Sequence, residues 1–276
     1  MPDGPTSGSV SAGGFEMAYS DEGTGPMVVC LHSGGLTSRQ WNRLRTRIGD
    51  RFRTILADFI GYGQSSPWPA GRTFDIEHDI ALIEALFREV GEPVHLVGHS
   101  YGAFLGMKAA LRQPERVRSL TLFEPIAFGV LFDGRHKDLV RTLPWDPKAP
   151  PELSVEARDE WLHSFVNWWM GDGAWGRLGA DARANFKQVA PKLYGEVRSQ
   201  AEDRTPASAY MELRQPALVL TAEKSPPAAR AVAKVVAESM PHARLVDLAG
   251  AGHMAPVSNA DVVNREIETF LVGLPD

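Results

Sequence analysis

Val94-His95-Leu96-Val97-Gly98-His99-Ser100-Tyr101-Gly102 runs from an apolar, strand-like stretch straight into a helical one, Ala103 to Gln113. A serine on such a strand-to-helix turn is presented with its hydroxyl exposed, where it can act as a nucleophile. Gly98 and Gly102 let the backbone take a turn too tight for a Cβ at those positions. The five-residue pattern recurs by chance, so its weight comes from the strand before it and the helix after it.

Working outward, the chain alternates strand-like and helix-like segments. Phe15 to Glu22 reads as an opening strand or hairpin, and Met27 to Leu31 as a parallel strand covered on both faces. Thr54 to Phe59 follows, then an apolar stripe at Ile76, Ile80, Ile83, Phe87 and Val90 with the period of one helix face. Val117 to Phe123, Ala217 to Thr221 and Arg244 to Leu248 are further strands, with helices over Pro227 to Met240 and Ala260 to Leu271. This alternation predicts a mostly parallel sheet with helices on both faces. Residues 126–213 break the rhythm. They are helix-prone, interrupted by Pro144, Pro147, Pro150 and Pro151, and hold five of the seven tryptophans: Trp145, Trp161, Trp168, Trp169 and Trp175. Inserted between two strands, they read as a helical cap, some of whose aromatics face a ligand site at the sheet's edge.

A chain of 276 residues accommodates one large α/β domain with such an insertion. The expected division is a flexible tail at 1–14, rich in Gly, Ser and Pro, a core at 15–125 and 214–276, and the cap at 126–213. A net charge of −5 gives no reason to expect nucleic acid or an anionic membrane as partner. The basic run Arg43-Leu44-Arg45-Thr46-Arg47 reads as a solvated helix face. One cysteine, Cys30, excludes an internal disulfide and a cysteine-based metal cluster. With no apolar run long enough for a membrane span and no signal-peptide pattern, a cytoplasmic protein is the expectation.

Ser100 needs a base, and His253 in Gly250-Ala251-Gly252-His253-Met254 is the best placed, on a loop between the last strand and the last helix. Of the other histidines, His99 is read as pointing away on its tight turn, and the rest as surface or packing residues. Three acids compete to orient the imidazole: Glu124 after the strand that follows the serine helix, Glu223 after the next strand, and Asp247 within the last. Glu124 is preferred. Backbone amides for an oxyanion come from Tyr101, the residue after the nucleophile, and from the loop His32-Ser33-Gly34-Gly35, where Gly34 is preferred.

The pieces His32 to Gly35, Asp58-Phe59-Ile60-Gly61-Tyr62-Gly63-Gln64-Ser65, Gly98 to Gly102 and Gly250 to Met254, in this order, make the chain resemble the α/β-hydrolase fold superfamily over residues 15–272. The resemblance implies an eight-stranded sheet, a cap after the sixth strand and a serine–histidine–acid triad; it also makes Asp58 a loop aspartate with a structural role. Two departures matter. Ser33 stands where the family usually has glycine, and Ser225 stands about where many members carry the triad aspartate after the seventh strand. Haloalkane dehalogenases place the acid after the sixth strand, where this chain has Glu124. They and the epoxide hydrolases use an aspartate nucleophile, which Ser100 replaces, so neither activity is expected. The resemblance thus implies a cofactor-free, metal-free serine hydrolase acting through an acyl-enzyme on a small or medium apolar or aromatic ester. A carbon–carbon bond hydrolase, a lyase, a perhydrolase and a non-catalytic ligand-binding member remain open alternatives.

Overall fold

The computed structural model describes residues 6–69, 71–132, 135–146, 148–150 and 152–275. In chain order its strands are β1 (Thr6–Ala12), β2 (Phe15–Glu22), β3 (Met27–Leu31), β4 (Arg53–Ala57), β5 (Val94–His99), β6 (Val117–Phe123), β7 (Ala217–Ala222) and β8 (Ala243–Leu248). The helices are α1 (Asn42–Ile48), α2 (Glu77–Val90), α3 (Tyr101–Arg112), α4 (Val155–Met170), α5 (Ala174–Arg177), α6 (Ala180–Glu202), α7 (Pro227–Ser239), α8 (Ala255–Ser258) and α9 (Ala260–Val272). All eight strands form one sheet in the order β1-β2-β4-β3-β5-β6-β7-β8. β2 is antiparallel to both β1 and β4, and every other pairing is parallel.

Strand alternation divides the core into two layers. In β3, Val29 and Leu31 pack with α2, α3 and α7, whereas Val28 and Cys30 pack with α1 and α9. β3 lies between β4 and β5, so the chain leaves it once toward each edge of the sheet. The loops after β3 and after β5 therefore diverge at a topological switch point, where open α/β sheets form a crevice for ligands.

Two expectations are corrected. Residues 6–14 are no tail: Thr6–Ala12 pairs along the whole of β2 through a turn at Gly13 and Gly14, and residues 1–5 of the expected tail lie outside the described residues. The basic run on α1 is not wholly solvated either. Arg45 is buried, its guanidinium donating to Thr54 Oγ1 at 2.9 Å and to the carbonyls of Ser20 and Thr54. These bonds replace the water it gives up. Between β6 and β7 the described residues form α4, α5, α6 and short 3-10 turns, with no strand; Pro147 and Pro151 lie outside the described residues.

Candidate active site

Ser100 sits between β5 and α3 with φ 54° and ψ −114°. This is left-handed backbone that costs a non-glycine residue on the order of 1–3 kcal/mol. The flanking glycines make the turn feasible by close approach. A Cβ on Gly98 would lie 2.6 Å from the Cα of Ala103, and one on Gly102 would lie 2.4 Å from the Leu31 carbonyl oxygen. The Ser100 amide is tied to the Phe123 carbonyl at 2.9 Å, which fixes the elbow against the end of β6.

The residue after Phe123 is Glu124, with φ 44°. Among the described residues, Ser100 and Glu124 are the two non-glycine positions with positive φ. Glu124 is fully buried and both its carboxylate oxygens are engaged. Oε1 accepts from Thr221 Oγ1 and from the Ala222 amide, both at 3.0 Å, and Oε2 meets His253 Nδ1 at 2.6 Å. With Nδ1 committed to Glu124, the imidazole keeps Nε2 for another partner. His253 and Ser100 line the same cavity; the ring's side-chain hydrogen bond goes to Glu124, and none joins it to the Ser100 hydroxyl among the described residues.

The other acids go elsewhere. Glu223 is exposed and accepts from the Gly250 amide at 2.7 Å, shaping the loop that leads to His253. Asp247 is exposed and pairs with Arg230 at 3.0 Å. Asp58 accepts from the amides of Ser38 and Gln64, holding two loops together.

The loop after β3 is set by its own side chains. His32 Nε2 accepts from the Phe59 amide at 3.0 Å, which leaves the proton on Nδ1 to be donated to the Ser33 carbonyl at 2.7 Å. Burial lowers the His32 pKa to about 4, keeping the ring neutral. The Ser33 amide donates to Gln40 Oε1 and the Gly35 amide to the Tyr62 hydroxyl. Gly34 between them has no such partner among the described residues, and Tyr101 opens α3, where the intrahelical ladder leaves its N–H free. Both residues line the cavity with Ser100.

The sequence over residues 28–266 matches the alpha/beta hydrolase family. The chain belongs to that family. A 2-hydroxy-6-oxo-2,4-heptadienoate hydrolase from Pseudomonas putida is 34% identical over 203 residues, covering 72% of this chain and 71% of that one. A haloalkane dehalogenase from Agrobacterium fabrum is 33% identical over 125 residues, 45% of this chain and 40% of the dehalogenase. The chain thus spans about two fifths of the dehalogenase's length. Among solved structures, a hydrolase from Pseudomonas aeruginosa superposes with a TM-score of 0.71 at 20% identity, covering 98% of this chain and 99% of that one, a likeness of fold.

In this alpha/beta hydrolase, α4 and α6 roof the site. Of the five tryptophans between β6 and β7, one reaches the cavity: Trp169 stacks on the His253 ring at 3.7 Å between centroids. The remaining four pack among other aromatics, as Trp161 does on Phe165 and Trp175 on Phe186. His99 does not point away from the site; it lies behind the His253 ring at 4.8 Å, and burial holds its pKa well below the histidine range.

One polar group in the cavity has no counterpart in the sequence reading. Glu196 and Lys192 of α6 reach down to Asp79 of α2, with Lys192 Nζ 2.5 Å from Glu196 Oε1 and 2.8 Å from Asp79 Oδ2. Tyr101 donates to Asp79 and Tyr62 to Glu196. In sequence, Lys192 and Glu196 look like an ordinary i,i+4 pair on a solvated helix. The described residues contain no group of three or more His, Cys, Asp or Glu side chains arranged to hold a metal ion, and no helix long and apolar enough to cross a membrane.

Proposed function

We propose that the chain is a carboxylesterase-like serine hydrolase in which Ser100 is the nucleophile, His253 the base and Glu124 the orienting acid. The observation that carries this reading is the strained serine elbow opening onto the cavity that holds an imidazole anchored to a buried carboxylate. Ser100 Oγ bonds to the ester's carbonyl carbon as His253 Nε2 takes the hydroxyl proton. The amides of Gly34 and Tyr101 stabilise the negative oxygen. The carbon–oxygen bond to the alcohol then breaks, and the alcohol leaves with the proton from His253. Water attacks the acyl-serine, gives a proton to the same ring, and the acid departs as the proton returns to Oγ. Glu124 holds the imidazole in one tautomer.

The helical segment 126–213 acts as the cap over this site. The cavity beneath it is small, about 40 Å³. Trp169 of α4 covers one face of the His253 ring. The proposal is tested by turnover of p-nitrophenyl esters from acetate to octanoate with the native chain and S100A. The expected result is hydrolysis by the first and none above background by the second; equal rates would overturn it.

A second reading, carbon–carbon bond hydrolysis on the same residues, is favoured by the extent of the match to the Pseudomonas putida heptadienoate hydrolase. Turnover of 2-hydroxy-6-oxo-2,4-heptadienoate without ester turnover would select it.

A further inference from the structure

Three turns of α6 carry Lys192, Glu196 and Gln200 on one buried stripe. Lys192 is spent on Asp79 and is surrounded by the rings of Phe59, Tyr62, Phe74 and Tyr101 at 4.7–5.7 Å. Glu196 and Gln200 instead line the cavity of Ser100 and His253, where α4 and α6 otherwise contribute mainly apolar groups such as Phe165, Val166, Leu193 and Val197. Two buried polar side chains in such a wall cost free energy unless something polar meets them.

The position of Glu196 narrows what that partner is. A Cβ on Gly34 would fall 2.5 Å from Glu196 Oε2, so this carboxyl borders the loop assigned above to the oxyanion. Each of its oxygens already accepts one hydrogen bond, Oε1 from Lys192 and Oε2 from Tyr62. A carboxylate has about four acceptor positions, so capacity remains for a donor arriving through the cavity. An anionic carboxylate beside a forming oxyanion opposes the reaction unless a donor stands between them. Burial raises its pKa to about 7, Asp79 adds to the rise, and Lys192 and Tyr62 act against it. Tyr101 on α3 is a further titratable neighbour, and His253 lines the same cavity.

We propose that Glu196, assisted by Gln200, is the specificity element of the site and accepts a hydrogen bond from a hydroxyl borne by the acyl group, one or two carbons from the ester carbonyl. A hydroxyl fits better than an ammonium. Lys192 already places a cation 2.5 Å from Glu196, and a second one would be repelled and would have to leave water. The substrate class becomes hydroxyacyl esters rather than plain alkanoates. This inference rests on Ser100 being the nucleophile.

The test compares kcat/KM for p-nitrophenyl butyrate, 3-hydroxybutyrate and 3-aminobutyrate in the native chain, E196Q and Q200L, with fluorophosphonate labelling of Ser100 in each preparation. The expected result is a preference for the hydroxy ester over butyrate of about tenfold or more in the native chain. That ratio collapses toward one in E196Q and falls partway in Q200L, while labelling persists. A purely structural role for Glu196 would lower both rates together and leave the ratio unchanged, which overturns the proposal; so does a native preference for butyrate or for the amino ester. Absence of labelling in the native chain overturns the hydrolase reading on which the inference stands.

Discussion

Glu124 and Glu196 are both buried acids, one bonded to the His253 ring that lines the cavity and the other in the cavity wall itself, and they are held in opposite ways. Glu124 rests on the sheet: Thr221 and the Ala222 amide at the end of β7 fix one oxygen, and the other faces His253. Glu196 rides on α6 and meets Lys192 of its own helix and Tyr62 of the core. Strand ends do not shift relative to one another, so Glu124 can hold a ring in register through a reaction. α6 belongs to the segment inserted between β6 and β7, and Glu196 is held there by one bond from its own helix and one from the core.

The sharpest way to break this contrast is to neutralise each acid. E124Q removes the acceptor that fixes the imidazole tautomer, and kcat on a reactive ester should fall by about 10³–10⁴-fold. E223Q, which keeps an amide oxygen able to accept from the Gly250 N–H, should stay within about threefold of the native rate, read on the same ester. If E223Q alone lost activity, the acid would be misassigned.

The second cluster is probed by its cation. K192M strands Asp79 and Glu196 without their shared partner, and breaking a buried pair in this way costs about 3–5 kcal/mol. Urea unfolding should show that loss as a lower midpoint with an unchanged slope. A loss below about 1 kcal/mol would mean that water reaches the cluster and that the roof is not seated as described.

The smallest effect is a pH dependence of stability. The Glu196 pKa lies at about 7 in the fold against an ordinary 4.5, so the folded chain binds the extra proton between those values. Its contribution is complete below pH 4.5 and is lost as pH rises through 7. His32 and His95, both lowered to about 4 by burial, have the opposite sign and gain stability from pH 4 to 6.5. The histidine contributions are shared by E196Q and cancel in the comparison of the two chains. From pH 6.5 to 8 the native chain should therefore lose about 1 kcal/mol that E196Q does not. Parallel curves for the two would remove Glu196 from the titration.

The sequence made the first cluster readable and hid the second, for a physical reason. Ser100, Glu124 and His253 each sit just beyond a strand, where backbone position alone sends a side chain to the sheet's carboxyl edge. Gly98 and Gly102 mark the turn that presents Ser100. Lys192 and Glu196 become neighbours of Asp79 only through the docking of α6 on the core, which no local spacing records. The same limit applies to Arg45, whose basic run suggested solvent until β2 and β4 supplied its acceptors. β1 was missed because Thr6-Ser-Gly-Ser-Val-Ser-Ala has turn-like composition. As an edge strand it needs little more than Val10 in the core and space at Gly8 for the Tyr19 ring.

The most direct test of the central claim is peptide mapping after treatment with a fluorophosphonate. One adduct per chain, on the peptide that contains Ser100, is the predicted result, together with no adduct in S100A and slowed labelling in E124Q. Stoichiometric labelling of S100A at any other residue would contradict the account.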